Sequence, residues 1–445
     1  MKTKSLLLFL SIFLFQKAQS QNWLEVGGFN SLHPDSTISK IITDKQNNLY
    51  AAGLFKNDSG SCYVAKWNGT NWSELGGINS LNAKSGIEAM TIDSIGNIYV
   101  AGEFQSPPNN FIAKFDGISW HKIMGLTLYD VTTMSVDAFG NIYAASGYEV
   151  DKYNGTNWTT ITNGFMTFNN PGIVKSTIID KQQHLLAVGD FTDNRQQTYV
   201  AVYTGSGTVW DTLGRLDTLI SCPCPINTIT ADTAGNVYVA GDIRDSTGYR
   251  FIAKWDGHKW NNIGNTHNIF SSQFDFTDLV TDNKNLYAAG LYNYNSPYDP
   301  YVVKYNGVAW SKFEDTVNTL CSGGFTSIAV DGENHVYAIG DFYNTAGNRY
   351  VATFGVAATG ISTIQKENTL HVFPNPTNSS TTITLTKAVD NATIKLINLT
   401  GQTIIEKQNQ TGDHFNLDIL QQAQGIYFVE IRQADNVWRT KLVKQ

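Results

Sequence analysis

One unit of sequence recurs seven times down most of this 445-residue chain. An aspartate-centred turn leading into a tyrosine-bearing strand alternates with a glycine turn leading into a tryptophan. The aspartates fall at Asp44, Asp93, Asp137, Asp180, Asp232, Asp282 and Asp331, in steps of 49, 44, 43, 52, 50 and 49 residues. The tryptophans fall at Trp23, Trp72, Trp120, Trp158, Trp210, Trp260 and Trp310. Such self-similarity marks units that cannot bury their apolar faces alone and so pack against one another, here as blades. The tryptophan series starts before the aspartate series, and the Asp331 unit has no tryptophan of its own. Trp23 is therefore placed to complete the final blade.

The unit from Ile87 to Gly125 shows the local logic. Ile87–Ile92 alternates in the manner of a half-buried strand. Asp93-Ser94-Ile95-Gly96-Asn97 turns the chain, because Gly and Asn tolerate positive φ and the Asp carboxylate accepts turn amides. Ile98–Ala101 is a second strand, with Gly102 where a bulky side chain would crowd a neighbour. Phe111–Phe115 is a third, Asp116-Gly117 opens a tight hairpin, and Trp120 begins a fourth. Asp-x-x-Gly-Asn recurs at Asp137–Asn141 and Asp232–Asn236. Lys-aromatic-Asn/Asp-Gly recurs at Lys66, Lys152, Lys254 and Lys304, and drifts to Val202-Tyr203-Thr204-Gly205 in the fourth unit.

Radial packing of seven four-stranded sheets removes the exposed edges of a lone sheet. The recurring Trp and Tyr read as blade-to-blade packing; a ladder of sugar-stacking aromatics is the functional alternative. The last unit stops after three strands at Gly355, while Asn22–Gly27 is an orphan strand resembling Asn71–Gly76. The expected fold is all-β: a seven-bladed β-propeller closed by the N-terminal strand, followed by a small C-terminal β-sandwich. About 335 residues resemble the bacterial propeller-repeat families whose units carry Asp-x-x-Gly-Asn-Val-Tyr-Val-x-Gly. Such families bind, scaffold or occasionally catalyse, so the fold alone names no function.

Composition bounds the setting. Lys2 and Lys4, the apolar run Leu6–Phe15 and Ala18-Gln19-Ser20 form a secretory signal over residues 1–20, the alternative being an N-terminal anchor. No later stretch resembles a transmembrane helix. A net charge of −7 without a basic tract argues against nucleic acid as partner. Cys62, Cys222, Cys224 and Cys321 allow three disulfide pairings, and Cys222-Pro223-Cys224 lacks the partner pair of a zinc site. No metal or cofactor is expected.

The repeat spans 21–356, a Thr/Ser-rich linker covers 357–370, and a separate β-rich module fills 371–445. Its marks are Pro374-Asn375-Pro376, Leu399-Thr400-Gly401-Gln402, Gly425-Ile426-Tyr427-Phe428 and the Lys441–Lys444 finish. Alternation and turns give a small β-sandwich. Together the marks resemble the type A C-terminal sorting domain read by the type IX secretion system of Bacteroidetes. That resemblance, carried by Pro374, Asn375, Pro376, Gly401, Gly425 and Tyr427, implies the secretion machinery as partner. It also implies passage through the periplasm, then release or attachment at the outer-membrane surface. An accessory structural domain is the alternative.

In a propeller the long second-to-third-strand and unit-to-unit connections emerge on one face, where function is expected. Blade 3 has only a minimal turn at Gly147, so a notch is expected in that rim, read as indel tolerance or as a binding cleft. Blade 6 carries Tyr292, Tyr294, Tyr298 and Tyr301, with Phe274 nearby, as a candidate surface for a glycan or a surface protein. Self-packing of a compact loop is the alternative. Glu103, Asp190, Asp242 and Asp341 close the second strands and form an acidic rim. They could ligate a cation or act as a catalytic pair, or equally accept loop amides and meet Arg195, Arg244 and Arg349. No phosphate loop, His-Glu zinc pair or nucleophile elbow is visible. His184 and His335 stand where Asn stands in other turns. The function expected is a non-catalytic exported binding module; the alternatives are a polysaccharide-acting hydrolase or lyase and a purely structural surface component.

Overall fold

In a computed structural model the described residues are 21–445, except 103, 105–110, 129, 163–171, 194, 206, 217–218, 221–222, 265–273, 293–301, 314–323, 342, 345–346, 357–369, 399–401 and 434–435. The chain divides into two units, Met1–Ala357 and Ala358–Gln445. Among the described residues, the first unit holds seven four-stranded antiparallel sheets. Blade 1 runs from the axis outward as Ile38–Thr43, Leu49–Gly53, Ala65–Trp67 and Trp72–Glu74. Blades 2 to 6 repeat that order, so the fold is a seven-bladed β-propeller.

Blade 7 is built from Phe325–Val330, Val336–Gly340, Ala352–Val356 and, outermost, Gln21–Glu25. Trp23 lies opposite Phe354 and Leu24 opposite Thr353. The offset between the two residue series thus has its physical meaning: the chain's two ends share one sheet. Trp23 is 3% exposed, with ring centroids 5.0 Å from Phe325 and 5.4 Å from Phe354.

Second strands such as Leu49–Gly53, Leu185–Gly189 and Val237–Gly241 are buried throughout, since both sheet faces meet neighbouring blades. That position calls for continuous small apolar runs in place of alternation. In blades 1, 2, 4 and 5 the run ends at a glycine, Gly53, Gly102, Gly189 or Gly241, pressed against the start of the first strand. A Cβ on Gly102 would lie 2.1 Å from the Gly86 carbonyl oxygen, so no larger residue fits.

The recurring tryptophans lock the ring. Trp120 Nε1 in blade 2 donates to Leu75 O of blade 1 at 2.9 Å, and Trp260 of blade 5 to Leu213 O of blade 4 at 2.6 Å. Trp72, Trp158, Trp210 and Trp310 repeat the bond to the preceding blade. Each indole also packs on the third-strand aromatic of its own blade, as Tyr305 on Trp310 at 5.0 Å. A third-strand lysine stands over the second-strand tyrosine in five blades, as Lys66 over Tyr50 at 5.5 Å. Both halves of the Lys-aromatic motif therefore serve packing, and a sugar ladder is not needed to explain it.

The second unit is one five-stranded sheet. Leu370–Phe373, Ser380–Asn398, Gly425–Gln433 and Asn436–Lys444 pair in that order, and Thr403–Asp418 pairs with Ser380–Asn398. Register shifts between Thr384 and Ala392 bend the long strands. Their two halves share one core, which includes Ile383, Leu385, Leu396, Leu417, Val429 and Leu442. Asn375 clamps the last strand: its Nδ2 donates to Lys441 O at 2.7 Å and its Oδ1 accepts from Val443 N at 2.9 Å. Tyr427 Oη donates to Ala423 O at 2.8 Å, and Gly401 lies outside the described residues. Glu430, 1% exposed, sits between the guanidinium groups of Arg432 and Arg439. Burial would raise its pKa, but these two partners hold it below the usual value.

Candidate functional site

The seven aspartate turns are consumed by the scaffold. Asp232 Oδ1 accepts from Asn236 N at 2.9 Å, while Oδ2 accepts from Asn236 Nδ2 at 2.6 Å and Tyr238 Oη at 3.0 Å. Asp44, Asp93, Asp137 and Asp282 do the same with Asn and Tyr. His184 and His335 replace Asn through Nδ1, 3.2 Å from Asp180 and 2.8 Å from Asp331. Burial by itself would raise the carboxyl pKa of Asp44, Asp232 and Asp282, but these donors outweigh it and hold all three below 3.8. Tyr50, Tyr99, Tyr143, Tyr238, Tyr287 and Tyr337 are shifted upward, by burial first and then by the adjacent carboxylate.

On the opposite, long-loop face, three of the four rim acids are described, and each has partners. Asp190 accepts from the Ile173 amide, contributed by the loop that enters the blade. Arg195, its expected partner, instead forks onto Asp193 at 2.8 Å. Asp242 meets Arg244 at 2.7 Å as expected, and also Arg250 at 2.7 Å. Asp341 meets Arg349 at 2.8 Å. Glu103 lies outside the described residues, as do Tyr294, Tyr298 and Tyr301. Tyr292 and Phe274 pair with each other at the long-loop end of blade 6, where the strands Leu286–Tyr292 and Phe274–Thr281 meet.

Arg250 joins two blades, reaching Asp275 of blade 6 at 2.6 Å while itself only 6% exposed. Both carboxylates are about a third exposed, which reduces the pair's worth through screening. Arg250→Ala is expected to cost about 1–3 kcal/mol, read as a lower denaturant midpoint at unchanged slope.

A ring that sequence reading missed encircles the axis at this same end. Five first strands open with a β-bulge, between Ile38/Lys40, Val174/Ser176, Ile226/Thr228, Phe276/Asp278 and Phe325/Ser327. The bulged residues are Ser39, Lys175, Asn227, Thr277 and Thr326, and Glu88 and Thr132 hold the same place in blades 2 and 3. All seven are polar and at least partly exposed, while the residue before each is a buried Ile, Val or Phe. Bulges re-aim side chains, and here each puts a polar residue on the innermost strand of its blade. Lys175 Nζ donates to Asn227 Oδ1 at 2.9 Å, Asn227 Nδ2 to Phe276 O at 3.0 Å and Thr277 Oγ1 to Phe325 O at 2.7 Å, each reaching the next blade. The signal was available as apolar-polar-small or polar triplets at the start of each unit, from Ile87-Glu88-Ala89 to Phe325-Thr326-Ser327.

Cys62 is a free thiol, 1% exposed, with Sγ donating to Leu54 O at 3.6 Å, and burial raises its pKa. Cys224 is disulfide-bonded. Alkylation of Cys62 in the native protein is expected to be far slower than in denaturant, read by peptide mass mapping after a timed pulse of iodoacetamide. Among the described residues, no three His, Cys, Asp or Glu side chains gather as a metal site. No helix there is long and apolar enough to cross a membrane.

Residues 371–445 match the family model described as a secretion system C-terminal sorting domain. Residues 148–310 match that of the Rax2 C-terminal β-propeller domain. No curated protein matches the chain. Among solved structures, a fungal alcohol oxidase in complex with copper is 13% identical at TM-score 0.50, covering 96% of this chain and 99% of that one. YCF48 bound to D1 peptide is 12% identical at TM-score 0.49, covering 77% and 97%. A protein of unknown function from Dyadobacter fermentans is 11% identical at 0.40, covering 76% and 100%. At such identities the likeness concerns the fold alone. The sorting domain marks the chain for export by the type IX system, and so for release or attachment at the outer-membrane surface. The chain is a secreted seven-bladed β-propeller that carries a secretion system C-terminal sorting domain over residues 371–445.

Proposed function

We propose that the propeller is a non-catalytic binding module whose long-loop face engages a glycan or another surface protein outside the cell. The observation that carries this reading is the axial ring of Ser39, Glu88, Thr132, Lys175, Asn227, Thr277 and Thr326. It presents hydroxyl, amide and charged groups on the long-loop face, at whose blade 6 end Phe274 and Tyr292 pair. Hydroxyl and amide donors of this kind suit a polyhydroxylated ligand, and tyrosines such as those of the blade 6 segment would offer it stacking planes. The engagement of Asp190, Asp242 and Asp341 in loop contacts favours binding over acid-base chemistry, which needs carboxyl groups poised toward a substrate.

Affinity electrophoresis through gels containing a panel of polysaccharides tests the placement. Retardation in one gel should be lost on changing Tyr292, Tyr294 and Tyr298 to Ala, and weakened about tenfold by Asn227→Ala with Thr277→Ala. Retardation that survives both sets of changes would move binding off this face.

A further inference from the structure

At the long-loop end, the basic side chains of blades 5 and 7 come with carboxylates of the chain's own. In blade 5, Asp242 follows Gly241, the last residue of the second strand, and the connection after it is bridged from Arg244 to Arg250. Asp242 meets both arginines, and Arg250 crosses to Asp275 of blade 6. In blade 7 the bridge runs from Tyr343 to Arg349, and Arg349 meets Asp341.

Blade 1 has the same frame with different residues. Its bridge runs from Lys56 to Cys62. Leu54 follows Gly53 where Asp242 follows Gly241, and Gly86 precedes Ile87 where Asp275 precedes Phe276. Lys56 therefore stands at the place of Arg244, while both acids of the blade 5 arrangement are gone. Leu54 lies against Gly86, since a Cβ built on that glycine would be 3.2 Å from Leu54 Cγ.

Between these residues is a cavity of about 380 Å³, lined by Leu54, Lys56, Cys62 and Gly86. The loops entering blades 1 and 2 add Asp35, Ser36, Lys84 and Ser85 to its wall. Asp35 already accepts from the Lys56 amide through Oδ1 at 2.8 Å. Among the described residues, neither lysine ammonium is in an ion pair and neither serine hydroxyl is hydrogen-bonded. Two cations and two hydroxyls thus face one partly engaged carboxylate, in a space of small-ligand size.

We propose that this cavity seats a carboxylate brought by the ligand, so that the long-loop face takes an acidic polysaccharide, a polyuronate; the assignment rests on the glycan reading of that face. The uronate carboxylate lies beside Lys56 as Asp242 lies beside Arg244, and Lys84 donates to it from the loop entering blade 2. Ser36 and Ser85 serve the hydroxyls of the same sugar ring. The chain as a whole carries −7, so a polyanion gains nothing from its general field and needs a local seat.

Retention of the purified chain on beads carrying alginate or polygalacturonate tests this seat. The same beads after reduction of their carboxyl groups to alcohols, and beads carrying neutral polysaccharides, run beside them. Lys56→Gln with Lys84→Gln removes the two cations, both on exposed side chains that the fold does not need. Leu54→Asp keeps both lysines and restores the blade 5 acid, at a side chain 42% exposed. Lys181→Gln with Lys259→Gln removes the same charge from exposed turns at the opposite end of the blades. The parent and the Lys181/Lys259 variant should hold one acid polymer alike and lose it on the reduced beads. The Lys56/Lys84 variant and Leu54→Asp should both bind it at least about tenfold more weakly, with Leu54→Asn well above Leu54→Asp. Retention that survives carboxyl reduction, occurs on neutral beads alone, or withstands both sets of changes overturns the seat and leaves the glycan reading standing. No retention on acid, reduced or neutral beads overturns that reading along with the seat.

Discussion

Trp23→Ala is expected to lower stability by about 3–5 kcal/mol, the range for removing a large aromatic from a packed core. The side chain is 3% exposed and wedged among Phe313, Phe325 and Phe354. It also belongs to the one sheet that joins the two ends of the ring, so its loss weakens closure as well as local packing. Guanidinium unfolding should show a lower midpoint, and Trp23→Phe should recover much of the difference. Trp158→Ala is the comparison, because that indole is only partly buried in a blade made from one continuous stretch; its cost should be clearly smaller. Deleting Gln21–Glu25 goes further and leaves Ala352–Val356 without its outer partner strand. An unpaired edge recruits another edge, so light scattering should show self-association. A deletion that stays monomeric with an unchanged midpoint would mean that the ring does not depend on this strand.

Asp232→Ala is expected to cost about 3 kcal/mol, since it leaves Asn236 and Tyr238 with unmatched polar groups beside a buried turn. The same carboxylate sets a pH dependence. Its folded pKa lies below the unfolded value, so its contribution is present above about pH 4 and is lost as pH falls through the folded pKa. Tyr238 runs the other way. Its folded pKa is raised, so its contribution holds below about pH 10 and is lost as pH rises through the folded value. With Asp44 and Asp282 shifted in the same sense, the ring should keep a plateau of stability between those limits. Urea titrations from pH 3 to 7 should show a shallower acid slope for Asp232→Ala than for the parent. Equal slopes would remove the turn carboxylate from the account.

The elements legible in the sequence are those that every blade must repeat. The Trp, the third-strand aromatic and the Asp turn recur because each blade meets the next in the same way, so their offset also disclosed the closing strand. The axial ring was hidden for the opposite reason. Its seven positions share polarity and a bulge but no residue type, running Ser, Glu, Thr, Lys, Asn, Thr, Thr. The rim acids were recognised as a set, yet their partners were only partly foreseen. Arg195 serves Asp193, two residues away, while Arg250 reaches Asp242 across the strand connection and Asp275 across the blade interface. Spacing along the chain does not report those pairings, because the loops that make them differ in length. In the sorting domain Pro374-Asn375-Pro376 is visible as a motif, but only the fold shows Asn375 holding the final strand through both ends of its amide.

The most direct test of the binding account incubates the purified chain with each polysaccharide that retards it, and records bound protein and released oligosaccharide from the same tube. Retention with no soluble product over many hours is the predicted result. Released oligosaccharide, lost on changing Asp242 or Asp341 to Asn, would contradict it and make the rim acids catalytic.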